Sequence, residues 1–117
     1  MEQLKAIGLK EVLDILPIKM GTYKMTKGVF MYNLKRLGIL EKRNGSNYPP
    51  QEYIDAGWFV PKTVVVNQLG FYKPCLSEKG IKWLRDNWLY KIKQNEYEYW
   101  QFKYPQYLND LTGWERD

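Results

Sequence analysis

The spacing of apolar residues predicts several helices, and the clearest is in the stretch Thr26–Leu40, which has the pattern of one amphipathic helix followed by a tight stop. Phe30, Leu34 and Leu37 fall at i, i+4 and i+7, which places them on one face of a helix with 3.6 residues per turn. Gly38 can adopt the left-handed conformation that ends a helix. The face opposite the apolar stripe is basic and aromatic, so it suits either a groove of DNA or an ordinary solvated surface.

Three further segments carry helix signals. Leu9–Leu16 has an apolar stripe and ends at Pro17, which cannot continue a helix. The segment Gln51–Ala56 predicts a single helical turn. Ser77 has the side chain of an N-cap and predicts the start of a helix that runs to about Leu89.

The segments between these helices follow other patterns. Ile18–Met25 is predicted to be a connection, and Glu41–Pro50 a loop without regular structure, because it contains Asn-Gly and Pro-Pro pairs. Trp58–Val66 and Phe71–Leu76 are rich in aromatic and β-branched residues and predict two strands of a hairpin around a turn at residues 67–70. A two-stranded hairpin is not stable alone, so it must pack on the helices.

This order of elements predicts an α+β fold of the winged helix-turn-helix class, in which the hairpin is the wing beside a recognition helix. We expect residues 1–90 to form this domain. Residues 91–117 form an aromatic-rich C-terminal extension, with helix predicted as far as about Phe102. So many aromatic side chains are expected to pack on the domain or on a second copy of it.

Charge is unevenly distributed along the chain. The 117 residues carry a net charge of +5, and residues 1–47 account for all of it, with nine Lys and Arg against four acidic residues. A localised basic surface is the electrostatic footprint of a nucleic-acid binder. Because small basic proteins that bind nothing share this composition, charge alone leaves both interpretations open.

Composition argues against several classes of protein. The chain has no His and one cysteine, Cys75, which excludes His-dependent triads, His-based zinc sites and intrachain disulfides. We therefore expect no enzyme activity, no metal and no cofactor, and we expect Cys75 to be buried rather than reactive. No apolar run approaches the roughly 18 residues of a membrane span, and the N-terminus does not resemble a signal peptide. These features predict a cytoplasmic protein.

The outer side of the predicted helix Thr26–Leu40 is a candidate DNA-binding surface. Lys and Arg there can reach guanine acceptors in the major groove, and Met or Tyr can meet a thymine methyl. Neighbouring cations can contact phosphates, which set position without reading sequence. The residues predicted to enter the groove are Gly28, Met31, Tyr32, Lys35 and Arg36, and those predicted to follow phosphates are Lys24, Lys27, Lys42 and Arg43.

The predicted wing adds Lys62, Asn67, Gln68 and Lys73, which would touch an adjacent backbone or minor groove. Each assignment has a structural alternative. The basic residues can form a solvated helix face, Tyr32 can pack against the hairpin, and lysines on edge strands commonly prevent aggregation.

The aromatic extension favours a second class of function, protein binding. Large aromatic side chains carry much of the energy of protein interfaces. We predict Tyr97, Trp100 and Tyr104 as anchors of such an interface, with a homodimer as one outcome. The alternative is that the extension covers the core of its own domain.

A block of spaced residues in NYPPQEYIDAGWF, at positions 47–59, fills the pattern N-x-P-x-Q-x-Y-x-D-x-G-x-F. Shorter matches flank it, and Ser77 stands where the pattern commonly has Thr. On these residues the chain resembles the C-terminal domain of phage antirepressors, the KilA-C family, over roughly Leu9 to Leu89. The matching residues are Asn47, Pro49, Gln51, Tyr53, Asp55, Gly57 and Phe59 in the block, Lys79, Gly80 and Leu84 after it, and Leu34, Gly38 and Leu40 before it.

This resemblance implies a phage or prophage regulator of transcription whose winged helix binds double-stranded DNA. The segment between Gly21 and Gly28 departs from the family pattern, so the groove-facing residues are not carried over from the family. Antirepressor-like proteins can also act by capturing a repressor. A module that binds a phage repressor or another protein, without specific DNA binding, is therefore the alternative.

Overall fold

The computed structural model describes residues 4–116, which form five α-helices, three two-stranded antiparallel hairpins and two 3-10 helices. The predicted α+β class is confirmed. None of the helices in this range is long and apolar enough to cross a membrane. Residues 1–3 and 117 of the predicted domain and extension lie outside the described residues. The helices are α1 (Leu9–Ile15), α2 (Lys27–Arg36), α3 (Gln51–Asp55), α4 (Glu78–Asn87) and α5 (Leu89–Lys103).

The strands form three hairpins, each made from neighbours in sequence. They are β1 (Lys19–Met20) with β2 (Tyr23–Lys24), β3 (Glu41–Arg43) with β4 (Ser46–Tyr48), and β5 (Lys62–Val66) with β6 (Leu69–Lys73). The 3-10 helices Pro105–Leu111 and Trp114–Arg116 follow α5.

Four of the helices contribute to one hydrophobic core. Phe30 and Leu34 of α2 are fully buried together with Val12 of α1, Leu84 of α4 and Ile92 of α5. Burying a side chain of this size stabilises the fold by about 1.5–3 kcal/mol. The predicted apolar stripe of α2 is therefore confirmed at Phe30 and Leu34. The opposite side of the helix does not contribute to the core and can contact a ligand.

The end of α2 agrees with the predicted stop at Gly38. The helix stops at Arg36, and Gly38 follows in the left-handed region with φ +77°. The N–H of Ile39 then donates to the carbonyl of Leu34 over 2.9 Å, which closes the helix end. Residues 37–40 thus form the tight stop that follows the helix.

Two segments predicted to lack regular structure are hairpins, so both predictions were wrong. Ile18–Met25 contains the short hairpin β1–β2, and Glu41–Pro50 contains β3–β4. In the second hairpin Asn44 and Gly45 have φ values of 50° and 80° and form the turn. An Asn-Gly pair favours a tight turn whose twist matches that of paired strands. The same dipeptide that indicated a loop therefore forms a hairpin.

The hairpin β5–β6 is present, but its boundaries differ from the prediction. Its turn contains only Asn67 and Gln68, with φ values of 50° and 66°, so β6 begins at Leu69 rather than at residue 71. Strand β5 begins after Pro61, whose missing N–H prevents it from joining a ladder. The residues before it instead make a single bridge between Phe59 and the segment after β6.

The block that carries the family resemblance forms an aromatic cluster between α3 and α4. The rings of Trp58 and Trp83 stack with centroids 4.3 Å apart, and Tyr53 lies 4.9 Å from Trp83. Gly80 allows this approach, because a Cβ there would lie only 2.7 Å from the carbonyl carbon of Trp58. Ser77 caps α4 by accepting a hydrogen bond from the N–H of Gly80. The block therefore holds the hairpin and the helices together.

The C-terminal extension packs on its own chain. Its helix, α5, ends at Lys103, close to the predicted end at about Phe102. Beyond it, Leu111 and Trp114 form a second small core with Met20 of β1. The N–H of Thr22 donates to the carbonyl of Asp110 over 2.8 Å. These contacts join the end of the chain to the β1–β2 hairpin.

Candidate nucleic-acid interface

One side of α2 is open to solvent along its full length. Gly28, Tyr32 and Lys35 follow one another at i, i+4 and i+7 and are all exposed, and we call them the α2 outer face. No atom lies within 4 Å of the position that a Cβ of Gly28 would take. A large ligand can therefore approach the helix backbone closely at this residue.

Aromatic and cationic groups border the α2 outer face on the side of α5. Tyr32 is 45% exposed and makes an edge-to-face contact with Tyr99 of α5, at a centroid distance of 5.9 Å. The guanidinium of Arg36 lies 5.5 Å from the Tyr32 ring and 5.8 Å from the Tyr99 ring. Tyr32 thus packs on the C-terminal helix rather than on the hairpin. Stacking also restricts Arg36, which lowers the entropy lost when it binds a ligand.

The opposite border of the α2 outer face is less accessible. Met31 is half-buried, and its Sδ accepts a hydrogen bond from Nδ2 of Asn47 over 2.9 Å. Met31 is therefore at the edge of the surface proposed to enter a groove, next to the β3–β4 hairpin.

Three lysines distant in sequence converge near the start of α2. Lys27, Lys62 and Lys73 are all exposed, and we call them the lysine cluster. Burial raises the pKa of the Cys75 thiol, and the positive charges of these three lysines oppose that rise. Cys75 itself is only 3% exposed, as predicted. The cluster joins the first residue of α2 to both strands of the β5–β6 hairpin.

Within the lysine cluster, two like charges face each other across the hairpin. Lys62 and Lys73 are direct partners at the base of β5 and β6. Like charges directly opposite each other destabilise a strand pair. An anion bound between them would remove this repulsion, so the base of the hairpin favours a phosphate or a carboxylate.

A cleft of about 390 Å³ lies beside the cluster, between α1, α2 and the end of β6. Lys27 and Lys73 are on its walls, together with Glu11 and Asp14 of α1. Because acidic side chains stand there, the cleft is not a uniform anion site. The cationic surface is the outer edge formed by the lysine cluster.

The other predicted DNA-binding residues are exposed and lie on the three hairpins. Lys24 is on β2, Lys42 and Arg43 are on β3, and Asn67 and Gln68 form the tip of β5–β6. Arg43 is already engaged, since it pairs with Glu41 at 3.2 Å and lies 4.9 Å from the Tyr48 ring.

All three predicted protein-interface residues make contacts within the chain. Tyr97 packs against Trp114 at 5.9 Å, and Trp100 packs against Tyr23 at 5.2 Å. Tyr104 packs against Trp100 at 5.7 Å and is 38% exposed. Exposed apolar side chains occur on the extension, at Phe102 and Tyr107, and on the β5–β6 hairpin, at Val65, Val66, Leu69, Phe71 and Tyr72.

A buried polar network fixes α2 against α5, and the sequence analysis missed it. Asn33 of α2 is fully buried, and its Nδ2 donates to Oε1 of Glu96 at 3.5 Å and to the carbonyl of Val29 at 2.9 Å. Nε1 of Trp100 donates to Oε2 of Glu96 over 3.3 Å. Asn95 donates to Oδ1 of Asn33 at 2.5 Å. A signal was available, because Asn33 interrupts the apolar side of α2.

Burial shifts two pKa values in this network. It raises the pKa of Glu96, although hydrogen bonds from Asn33, Trp100 and Tyr23 oppose the rise. It also raises the pKa of Tyr23 to about 12, and the neighbouring Glu96 carboxylate adds to this shift by its charge and as a hydrogen-bond acceptor. Tyr23 therefore stays protonated and donates its hydroxyl to Glu96.

The raised pKa of Glu96 predicts a pH-dependent stability. Because the folded pKa lies above the unfolded one, the stabilisation that Glu96 contributes is complete below the unfolded pKa and is lost as pH rises through the folded pKa. The free energy of unfolding of the wild type, relative to that of Glu96→Gln, should therefore decrease as pH rises from about 4, near the ordinary pKa of a Glu carboxyl, toward neutrality. Urea unfolding across this range measures the difference. An increase with pH would contradict the assignment, and Glu98→Gln on the exposed side of α5 is the matched control.

The comparisons with known proteins concern the segment that contains the α2 outer face and the lysine cluster. A family model described as "Phage antirepressor protein KilAC domain" matches residues 19–91, which is more than half of the chain. The chain belongs to the KilAC domain family of phage antirepressor proteins. No curated protein and no solved structure matches it.

The KilAC match covers fewer residues than the resemblance inferred from the sequence, which extends over roughly Leu9 to Leu89. It begins at Lys19, so α1 lies outside it, and it ends at Lys91 near the start of α5. The α2 outer face and the lysine cluster both lie within it. Membership supports a role in phage regulation, and the family is a regulatory one rather than an enzymatic one. Within residues 4–116 no group of carboxylate, cysteine or histidine side chains could hold a metal ion.

Proposed function

We propose that this KilAC protein regulates phage genes by binding double-stranded DNA, with α2 as the recognition helix and β5–β6 as the wing of a winged helix-turn-helix. The observation that carries the proposal is the lysine cluster: Lys62 and Lys73 are direct partners at the base of an exposed hairpin, and Lys73 lines one cleft with Lys27 at the start of α2. A winged helix needs cations at this junction, because DNA phosphates pass between the recognition helix and the wing.

The proposed roles follow from exposure and reach. Lys35 and Arg36 would contact base edges in the major groove, where Arg and Lys pair with guanine acceptors. Tyr32 would line the groove beside them, and Gly28 would let the backbone approach. Lys27, Lys62 and Lys73 would bind phosphates and set the register. Lys24, Lys42 and Arg43 would extend the phosphate contacts, and Asn67 and Gln68 would reach the adjacent minor groove.

The shape of the hairpin limits what the wing can contribute. Its cations are at the base, whereas its tip has the amides of Asn67 and Gln68 between the exposed apolar residues Val66 and Leu69. We therefore assign phosphate binding to the base of the wing and only amide contacts to its tip.

Repressor capture is the second candidate function, and the exposed apolar side chains of the hairpin favour it. Val65, Val66 and Leu69 are 69%, 51% and 61% exposed, and apolar residues exposed side by side often mark protein interfaces. On this alternative the hairpin and Tyr104 bind a protein, and the basic charge serves solubility or steering.

Affinity capture from the bacterial host, with and without nuclease, separates the two functions. DNA binding predicts that defined DNA fragments are recovered without nuclease and that no stoichiometric protein remains after nuclease treatment. Repressor capture predicts one stoichiometric protein partner that survives nuclease. Recovery of that partner together with randomly distributed DNA would refute the DNA-binding proposal.

A further inference from the structure

Strand β5 has one open edge. Within residues 4–116, β5 is paired with β6 alone, and β6 has β4 on its other side, where the N–H of Tyr72 donates to Oγ of Ser46 over 3.2 Å. The residues of β5 are exposed apart from Val64, which is half-buried. An open strand edge presents unpaired N–H and C=O groups that can bind another strand.

The register of the hairpin identifies which backbone groups face outward. In antiparallel pairs, residues that exchange hydrogen bonds alternate with residues whose polar groups point away from the partner. Tyr72 directs its N–H away from β5 and is opposite Thr63, so this pair belongs to the second type. Val65 and Gly70 form the pair two residues further along the strands, so their polar groups also point away from each other's strand. The N–H and C=O groups of Thr63 and Val65 therefore point to the open edge.

We propose that the open edge of β5 pairs with β5 of a second copy of this chain, antiparallel, about a two-fold axis at Val64. In that register Thr63 is opposite the second copy's Val65 and Val65 is opposite its Thr63. Four outward N–H and C=O groups on each strand are then satisfied in two reciprocal hydrogen-bonded pairs. A two-fold axis at Thr63 would place Val65 opposite Pro61, which has no N–H to donate. A two-fold axis at Val65 would place Thr63 opposite the second copy's Asn67, which is a turn residue, and Lys62 would have no strand residue opposite it.

The self-complementary register makes a second copy fit this edge, and charge is compatible with that pairing. Lys62 is the one charged residue of β5, and no acidic residue occurs between Asp55 and Glu78. The two-fold axis at Val64 places Lys62 opposite the second copy's Val66, about 13 Å along the strands from the other Lys62. Like charges are thus kept apart, whereas Val64 meets Val64 at the centre. The outer edge is rich in β-branched residues, which favour strands.

The small size of the contact sets its strength. Five paired residues on each side bury less than the roughly 1,200–2,000 Å² of a stable interface. The dimer should therefore be weak and depend on protein concentration in free solution. The inference stands apart from DNA binding, because the pairing uses the backbone of β5 and needs no nucleic acid.

Single cysteines test the register directly, in nuclease-treated full-length protein that carries Cys75→Ala. At Val64 the two copies meet in a pair without hydrogen bonds, with Cα atoms about 4.5 Å apart, which a disulfide can bridge. Thr63→Cys and Val65→Cys would place their thiols on diagonal positions about 7–8 Å apart, beyond the range of a disulfide. Under mild oxidation, Val64→Cys should form a crosslinked dimer at least tenfold faster than either neighbour.

Two results would overturn the proposal. One is that Val64→Cys forms no disulfide-linked dimer under oxidation, at protein concentrations where light scattering detects a non-covalent dimer. The other is that Thr63→Cys or Val65→Cys crosslinks as fast as Val64→Cys, which indicates random collision or another register. Thermal melting of each variant shows that the fold is retained. Excess Cys75→Ala parent, which has no thiol but keeps the same β5 edge, should slow the crosslinking of Val64→Cys because it competes for that edge.

Discussion

Replacing Lys35 and Arg36 together by alanine is expected to remove the preference of the protein for its specific DNA site. Each contact between a long cationic side chain and a guanine edge contributes about 1–3 kcal/mol of discrimination against the wrong base. Loss of both should reduce specific affinity by roughly 10²–10⁴-fold, until it equals binding to unrelated duplex. Fluorescence anisotropy with specific and unrelated duplexes at one salt concentration measures the ratio.

The fold should survive this double substitution. Lys35 is exposed, and the contacts of Arg36 with Tyr32 and Tyr99 are cation–π contacts at the surface, which contribute about 0.5–1 kcal/mol each. The melting temperature should therefore fall by no more than about 10 °C, which leaves the protein folded at the temperature of the binding measurement. Lys79→Ala with Lys82→Ala is the matched control, because it removes the same charge from the exposed side of α4. Specific binding that withstands the first pair, or is lost equally with the control, would contradict the recognition-helix assignment.

Replacing the three residues of the lysine cluster by alanine is expected to act differently. Lys27, Lys62 and Lys73 are assigned to phosphates, so their loss should weaken binding to specific and unrelated duplexes alike. Each lost phosphate contact lowers the slope of log affinity against log salt by about 0.9. The triple variant should therefore have a slope smaller by about 2–3 than that of the wild type, measured between about 50 and 200 mM salt.

Stability gives a second readout for the lysine cluster. Lys62 and Lys73 repel each other across the hairpin, so their replacement should leave the protein as stable as the wild type or slightly more stable. The control again removes cations from elsewhere, with Lys91→Ala on α5 and Lys79→Ala and Lys82→Ala on α4. An unchanged salt slope in the cluster variant would mean that these lysines do not contact phosphates.

Local patterns predicted several elements of the fold. The stripe of Phe30 and Leu34, the N-cap at Ser77 and the helical character of residues 89–103 could be read directly, because each depends on residues close in sequence. The hairpin at Asn44 and Gly45 was missed although its turn signal is also local. The strands beside that turn are charged and polar, so they show no alternation of apolar and polar residues. Packing of β4 against β6 stabilises this hairpin.

The candidate site could be predicted only in part. Exposure of Gly28, Tyr32, Lys35 and Arg36 follows from the periodicity of α2. The meeting of Lys27 with Lys62 and Lys73 depends on how the hairpin packs on the helices, which no spacing along the chain reveals. The link from Asn33 to Glu96 spans 63 residues and is formed only once α5 lies against α2.

The same packing changes the meaning of the aromatic extension. Tyr97 and Trp100 are aromatic enough to suggest an interface, yet they pack on Trp114 and Tyr23 of the same chain. Tyr99 instead supports Tyr32 and Arg36, two residues assigned to the DNA groove. The extension therefore helps to position the α2 outer face, and a group of exposed apolar side chains is on the β5–β6 hairpin.

Selection from a random duplex library tests the central proposal most directly. Nuclease-treated protein is mixed with the library at about 50 mM salt, bound duplexes are recovered, and the cycle is repeated at rising salt. DNA binding through α2 predicts that one sequence motif is enriched and that the Lys35→Ala, Arg36→Ala variant enriches none. A wild-type protein that enriches no motif, and binds duplex no more tightly than the variant lacking the lysine cluster, would contradict the proposed function.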